Sequence, residues 1–212
     1  LVFKLFSHFT NPYRLDSYTT ISIKDFFGLL FLTLAIIIPY ALILESAGID
    51  QFDNLIEQML KDNKWLVAIL AIFLAPILEE PIFRLHLDLK RSSIWWSIGL
   101  AVILLAQIWW LILVFWVYLF YLMYNISKGN TPNFRFVIWT SSAFFGMIHM
   151  GNYTDFDYSS HFYWVPFMVG AQFVVGLVLS YIRLNHGMKW SMIFHGVYNA
   201  VLIIPAVYIY EG

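Results

Sequence analysis

Between Ile94 and Tyr124 the chain runs through about 31 residues without one charged side chain. Five more apolar stretches accompany it: Phe26–Leu44, Trp65–Leu87, Phe136–Met150, Phe162–Ile182 and Trp190–Tyr210. A helix needs roughly 20 apolar residues to cross about 30 Å of hydrocarbon. Runs of this length and number therefore restrict the chain to an all-α, polytopic transmembrane helix bundle. Composition agrees. Charged residues make up 12% of the chain and hydrophobic ones 61%, against about 25% charged in ordinary soluble domains. This excludes a disordered chain, a solenoid with a solvated outer face and an ordinary soluble enzyme. Cysteine is absent, which removes disulfides, thiolate metal sites and a Cys nucleophile. A net charge of −1 gives no basic footprint for nucleic acid.

The charges between the runs set the expected topology. Lys4, Arg14 and Lys24 precede the first run, and no cleavable signal pattern stands out there. Lys90 and Arg91, Lys128 and Arg135, and Arg183 and Lys189 flank later runs. Loops rich in Lys and Arg stay cytoplasmic. All of these can be inside only if Ile94–Tyr124 crosses an even number of times, as a hairpin of two short helices. As one helix the run would span roughly 46 Å, too long without strong tilt. About seven helices are expected, with six as the alternative. The acidic stretches 45–62 and 155–157 would then lie outside. Within Glu45–Lys64, Phe52, Leu55, Ile56, Met59 and Leu60 recur at helical spacing, as in a short amphipathic helix at the interface. Residues 1–64 are expected to hold an N-terminal segment, the first span and this interfacial helix; residues 65–212 are expected to form the membrane core. Arg183 to Lys189 reads as a short basic loop.

Ionisable residues inside spans are costly and point to function. Segment 65–87 holds Glu79, Glu80 and Arg84. Glu80 and Arg84, four apart, share a helix face and can pair; Glu79 sits about 100° around and is free for general base work. Pro76 and Pro81 each remove a helical hydrogen bond beside the carboxylates. Phe145 and His149 are four apart, as are His195 and Asn199. By helical rise, His195 is about 9 Å from Lys189, Asn199 about 15 Å, and Glu80 about 16 Å from Arg91. One cavity could gather them, expected to open toward the inside. Each group alone also fits a structural use: a Glu–Arg pair, an interfacial His, or a His–Asn bond between helices. Together they suit amide hydrolysis, with a carboxylate and an imidazole to activate water and a second imidazole and an amide for the oxyanion. No H-E-x-x-H helix, Gly-x-Ser-x-Gly turn or intramembrane Asp pair is present. Ser191 and His195 are four apart, but no buried Asp orients that His as a serine triad requires.

In this order Glu79-Glu80-x-x-x-Arg84, Phe145-x-x-x-His149 and His195-x-x-x-Asn199, on separate apolar helices, resemble the CPBP family. These are the CAAX-protease and bacteriocin-processing (Abi) membrane proteins, which include the type II CAAX prenyl endopeptidases. The resemblance covers about residues 65–210. It implies that Glu79 activates water with His149 beside it, and that His195 and Asn199 bind the oxyanion. It further implies that Glu80 and Arg84 form a supporting pair and that Phe145 packs against the site. The gap from Arg84 to Phe145 is longer than the family pattern, in keeping with an inserted hairpin, and Pro81 is an added constraint. Family members are commonly labelled metalloproteases. Glu79, His149 and His195 are of the right kind to bind zinc, and the same residues could act with no cofactor. The implied activity is an intramembrane endopeptidase, acting on a membrane-associated peptide or lipidated protein. The alternatives are a non-enzymatic immunity or regulatory member that binds a partner, and a small transporter using the Glu pair. The expected setting is the lipid bilayer of a bacterial inner or plasma membrane. Substrate identity and oligomeric state stay open.

Overall fold

The computed structural model describes residues 2–13, 17–104 and 108–209. Arg14 and residues 105–107, within the run Ile94–Tyr124 expected to form a hairpin, lie outside the described residues. Ten α-helices are described: α1 Val2–Thr10, α2 Ile23–Ser46, α3 Leu55–Ile69, α4 Ala75–Arg84, α5 Arg91–Ala101, α6 Trp109–Ser127, α7 Phe134–Ile148, α8 Tyr158–His161, α9 Val165–His186 and α10 Met188–Ile209. Five helical stretches are long and apolar enough to cross a membrane: Ile23–Ser46, Leu55–Asp88, Trp109–Ser127, Tyr158–His186 and Met188–Ile209. Helices α5 and α7 are shorter.

The uncharged run 94–124 is two helices. The Trp116 Nε1–H donates to Ile98 O at 3.1 Å, and Trp95 meets Phe120 edge-on at 6.3 Å. Partners that rise in one helix as they fall in the other mark an antiparallel pair, as the charge pattern predicts.

The turns sort to two ends. At one, Thr19 N–H donates to Asn185 O, and α1 docks through a Trp139 Nε1–H bond to Phe9 O at 3.0 Å. At the other, Thr154 N–H donates to Asp53 O at 3.1 Å, Asn54 and Tyr153 form an isolated antiparallel bridge, and Phe52 packs on Phe156 and Trp164. The basic turns gather at the first end and the acidic loops at the second.

Three local expectations are corrected. Arg183–Lys189 is not a loop. Helix α9 continues to His186, and Gly187, at φ 91°, turns the chain directly into α10. Arg183 is held inside, 3.6 Å from Asp88 and donating to the Tyr18 hydroxyl, so burial with partners replaces exposure. The amphipathic helix is not separate from the next span: α3 carries both, bent where Asn63 leaves helical geometry (φ −152°, ψ 77°). Its apolar residues Leu55, Ile56 and Met59 line an internal cavity instead of lying against lipid. A carboxamide at the bend allows this, since Asn63 Oδ1 accepts the freed Leu66 N–H at 3.2 Å.

The core is packed by Phe83, Phe115, Phe145, Phe194 and aliphatic neighbours, all fully buried. Helices α7 and α9 approach where a Cβ on Gly176 would lie 3.1 Å from Ser142 Cβ. Small residues let membrane helices pack closely where no hydrophobic force joins them.

Candidate active site

The span Leu55–Asp88 is broken where the chemistry sits. Leu70–Leu74 forms one π-helical turn, in which Ala75 N–H bonds to Leu70 O. In that register Ala71 O would next be served by residue 76, which is proline and has no N–H. The orphaned carbonyl must be satisfied in a medium that offers no water. Asn199 Nδ2 does so, donating to Ala71 O at 2.7 Å. The proline thus positions an amide on α10 opposite α4. A π-turn of this kind commonly marks a functional site.

Glu80 is fully buried. Its carboxylate accepts from the Ser191 hydroxyl and from His195 Nδ1 at 3.1 Å, and it lies 4.0 Å from Arg84 Nε. Arg84, also fully buried, donates to Gly176 O at 3.4 Å and rests over the Phe145 ring at 4.1 Å. A guanidinium over an aromatic face gains from the ring quadrupole. Phe145 in turn stands edge-on to both His149 and His195, at 5.1 and 5.6 Å.

Glu79 has a different environment. It lines the cavity, and its buried Oε2 has no hydrogen-bond partner among the described residues. His195 Nε2 is 3.9 Å away, beyond direct hydrogen-bond reach. His149 Nδ1 is 2.8 Å from Phe145 O. A carbonyl only accepts, so Nδ1 carries the proton and Nε2 keeps its lone pair. By the same reasoning His195 donates from Nδ1 to Glu80. Both imidazoles are thus oriented by a second group and present Nε2 for chemistry.

Glu79, His149, His195 and Asn199 line one cavity of about 480 Å³. Glu80 and Arg84 lie behind it. Phe145 lines its wall. All seven residues read from the sequence therefore come together. Ser191 is not placed as a nucleophile, because its hydroxyl is committed to Glu80. That supporting role was not anticipated; a Ser four residues before His195 on the same helix face was the available signal. Asn152, Gln172 and Tyr198 also line the cavity, and no spacing pattern singles them out.

The cavity walls run from His195 and Glu79 to Leu55, Met59 and Asn152. Toward the basic end the Arg84–Glu80–Ser191 group and the buried Asp88–Arg183 pair fill the bundle. Among the described residues, no three His, Asp or Glu groups stand close enough to hold a metal ion. The zinc set Glu79, His149 and His195 is thus near in space without being a chelating geometry.

A helical membrane protein with a carboxylate and two oriented imidazoles in an internal cavity has the equipment of an intramembrane hydrolase. A family model described as Type II CAAX prenyl endopeptidase Rce1-like matches residues 61–201. The chain belongs to that family, a family of membrane proteases, and is an integral membrane protein. No curated protein and no solved structure matches it.

Proposed function

We propose that the chain is an intramembrane endopeptidase that hydrolyses a peptide bond of a membrane-associated peptide or lipidated protein. The observation that carries this reading is the asymmetry of the two adjacent glutamates. Glu80 is locked by Ser191, His195 and Arg84, whereas Glu79 lines the cavity and its buried Oε2 has no hydrogen-bond partner among the described residues. Glu79, helped by His149 Nε2, takes a proton from water, and the hydroxide attacks the scissile carbonyl. The developing oxyanion is met by the second N–H of Asn199, the first being held by Ala71 O, and by His195 once its Nε2 also carries a proton, the Nδ1–H remaining on Glu80. Preorganised donors in a dry site act most strongly where charge develops. The proton held by Glu79 then passes to the leaving amine. The helices make seven passes between the two ends, with α5 and α6 as the inserted pair.

The test is cleavage of quenched-fluorescence peptides, lipidated and unlipidated, in detergent. Glu79→Gln is expected to lower kcat by about 10²–10⁴, the usual contribution of a positioned base. Unchanged turnover in that variant overturns the mechanism. No turnover by wild type on any peptide moves weight to a family member that binds a partner without cleaving it. A chelator arm decides metal dependence: loss restored by zinc would require Glu79, His149 and His195 to draw together as ligands.

A further inference from the structure

Two residues on the cavity wall carry a buried side-chain oxygen with no hydrogen-bond partner among the described residues: Glu79, at Oε2, and Gln172, at Oε1. The proposed mechanism uses the first and leaves the second idle. The groups that flank the chemistry are anchored: His149 by Phe145 O, His195 by Glu80 and Asn199 by Ala71 O. A carboxamide oxygen buried unpaired has lost its water and gained nothing in exchange. A bound ligand that brings an N–H would remove that cost.

Gln172 belongs to the part of α9 that packs on the catalytic stretch of α7. A Cβ on Gly146 would lie 2.9 Å from Val169 O and 3.2 Å from Phe173 N. One turn along α9, a Cβ on Gly176 would lie 3.2 Å from a Phe145 ring carbon. The turn 169–173 is therefore pressed against α7 between Phe145 and His149, and Gln172 lies within it. Much of the cavity wall is apolar, with Leu70, Leu74, Leu78, Ile148, Val175 and Leu202 among its residues. A peptide in the cavity brings one backbone N–H for each residue other than proline, and these side chains offer it no acceptor.

We propose that Gln172 accepts a backbone N–H of the bound peptide through Oε1 and so holds the chain beside the scissile bond. This rests on the peptidase reading and adds a substrate-binding residue to it. The contact selects by backbone: an amide-linked chain satisfies Gln172, whereas an ester-linked or acyl chain leaves it unpaired.

Gln172→Met keeps an unbranched, flexible side chain and removes the acceptor. The free protein loses no hydrogen bond at Oε1, so the unfolding temperature in detergent should be unchanged or raised. With the quenched peptides, kcat/KM should fall about 5–50-fold. Unchanged kcat/KM overturns the proposal. The deciding measurement is a scan of peptides in which one backbone N–H at a time, away from the scissile bond, is replaced by an ester oxygen. One position is expected to cost the wild type a similar factor. At that position Gln172→Met should cleave the ester and its amide parent alike. If every ester costs the wild type and the variant equally, Gln172 meets no substrate N–H, and the proposal falls while the peptidase reading stands. A wild-type scan with no sensitive position overturns it too, whatever the stability of the variant. No turnover by wild type on any peptide overturns the peptidase reading and this proposal with it.

Discussion

Glu79 and Glu80 are adjacent in the chain, and their different surroundings come from residues far away in sequence. Ser191 is the clearest case. Its hydroxyl reaches Glu80 across the α4–α10 interface, and the carboxylate it serves is fully buried. A hydrogen bond to a charged acceptor contributes about 1.5–3 kcal/mol, so Ser191→Ala should lower stability by about 2 kcal/mol, read from unfolding in detergent. Glu80 would then turn more freely against His195, and kcat should fall with KM little changed. Unaltered stability and kcat would mean that the bond to Ser191 holds nothing in place. His8, outside the spans, makes a second residue-scale prediction. It is buried between Tyr13 and Tyr181, and burial lowers its pKa from 6.5 to about 4. The unfolded or undocked form therefore takes up the proton first as pH falls. Docking of α1 should be intact above pH 6.5 and weaken as pH drops from there through about 4. Hydrogen exchange in residues 2–10 measures it, and His8→Phe should abolish the dependence.

Helices, by contrast, are positioned by what they lack. The close approach of α10 to the π-turn depends on Gly196, where an added Cβ would lie 2.7 Å from Ile72 O. That carbonyl is backbone and cannot swing clear as a flexible side chain would. Gly196→Ala should force the helices apart at a cost of about 1–3 kcal/mol and carry Asn199 away from Ala71. Gly99→Ala, with nothing within 4 Å of the added methyl, is the matched control; it should be neutral or gain a few tenths of a kcal/mol from helix propensity. Equal thermal unfolding of the two variants would remove this account of the interface. These devices also mark the limit of what could be read from the sequence. The spans were legible because a membrane-length apolar run has few alternatives, and the α5–α6 pair because its flanking charges had to fall on one side. Six of the seven candidate residues stood out because ionisable and amide groups inside such runs are rare; Phe145 came only from the motif it shares with His149. The π-turn was not: Pro76 announces a missing donor, but which carbonyl is orphaned depends on a register that only packing sets. Arg183 was misread for a related reason. It was grouped with the polar Asn185, His186 and Lys189 that follow it, while Asp88 and Tyr18, which bury it, lie on other parts of the chain.

At the scale of the whole molecule, the residues that stabilise the bundle and those that serve the cavity are separated along the membrane normal. The described residues before α2 bind at the basic end: Phe9 O to Trp139, His8 to Tyr181, Tyr18 to Arg183 and Thr19 to Asn185. None of these partners lines the cavity. The contact of Tyr18 with Arg183 nevertheless touches the Asp88 pair, one turn of helix beyond Arg84. Removal of residues 1–22 therefore asks whether strain at that end travels through Asp88 and Arg84 to the carboxylates. Packed cores move between discrete arrangements and do not deform continuously, and Glu80 keeps Ser191, His195 and Arg84 in the truncated chain. The expected result is a lower unfolding temperature with kcat and KM of the folded fraction unchanged. A fall in kcat at constant KM, in protein shown to be folded, would mean that the basic end sets the position of Glu79, and the two halves of the molecule would have to be treated as one mechanical unit.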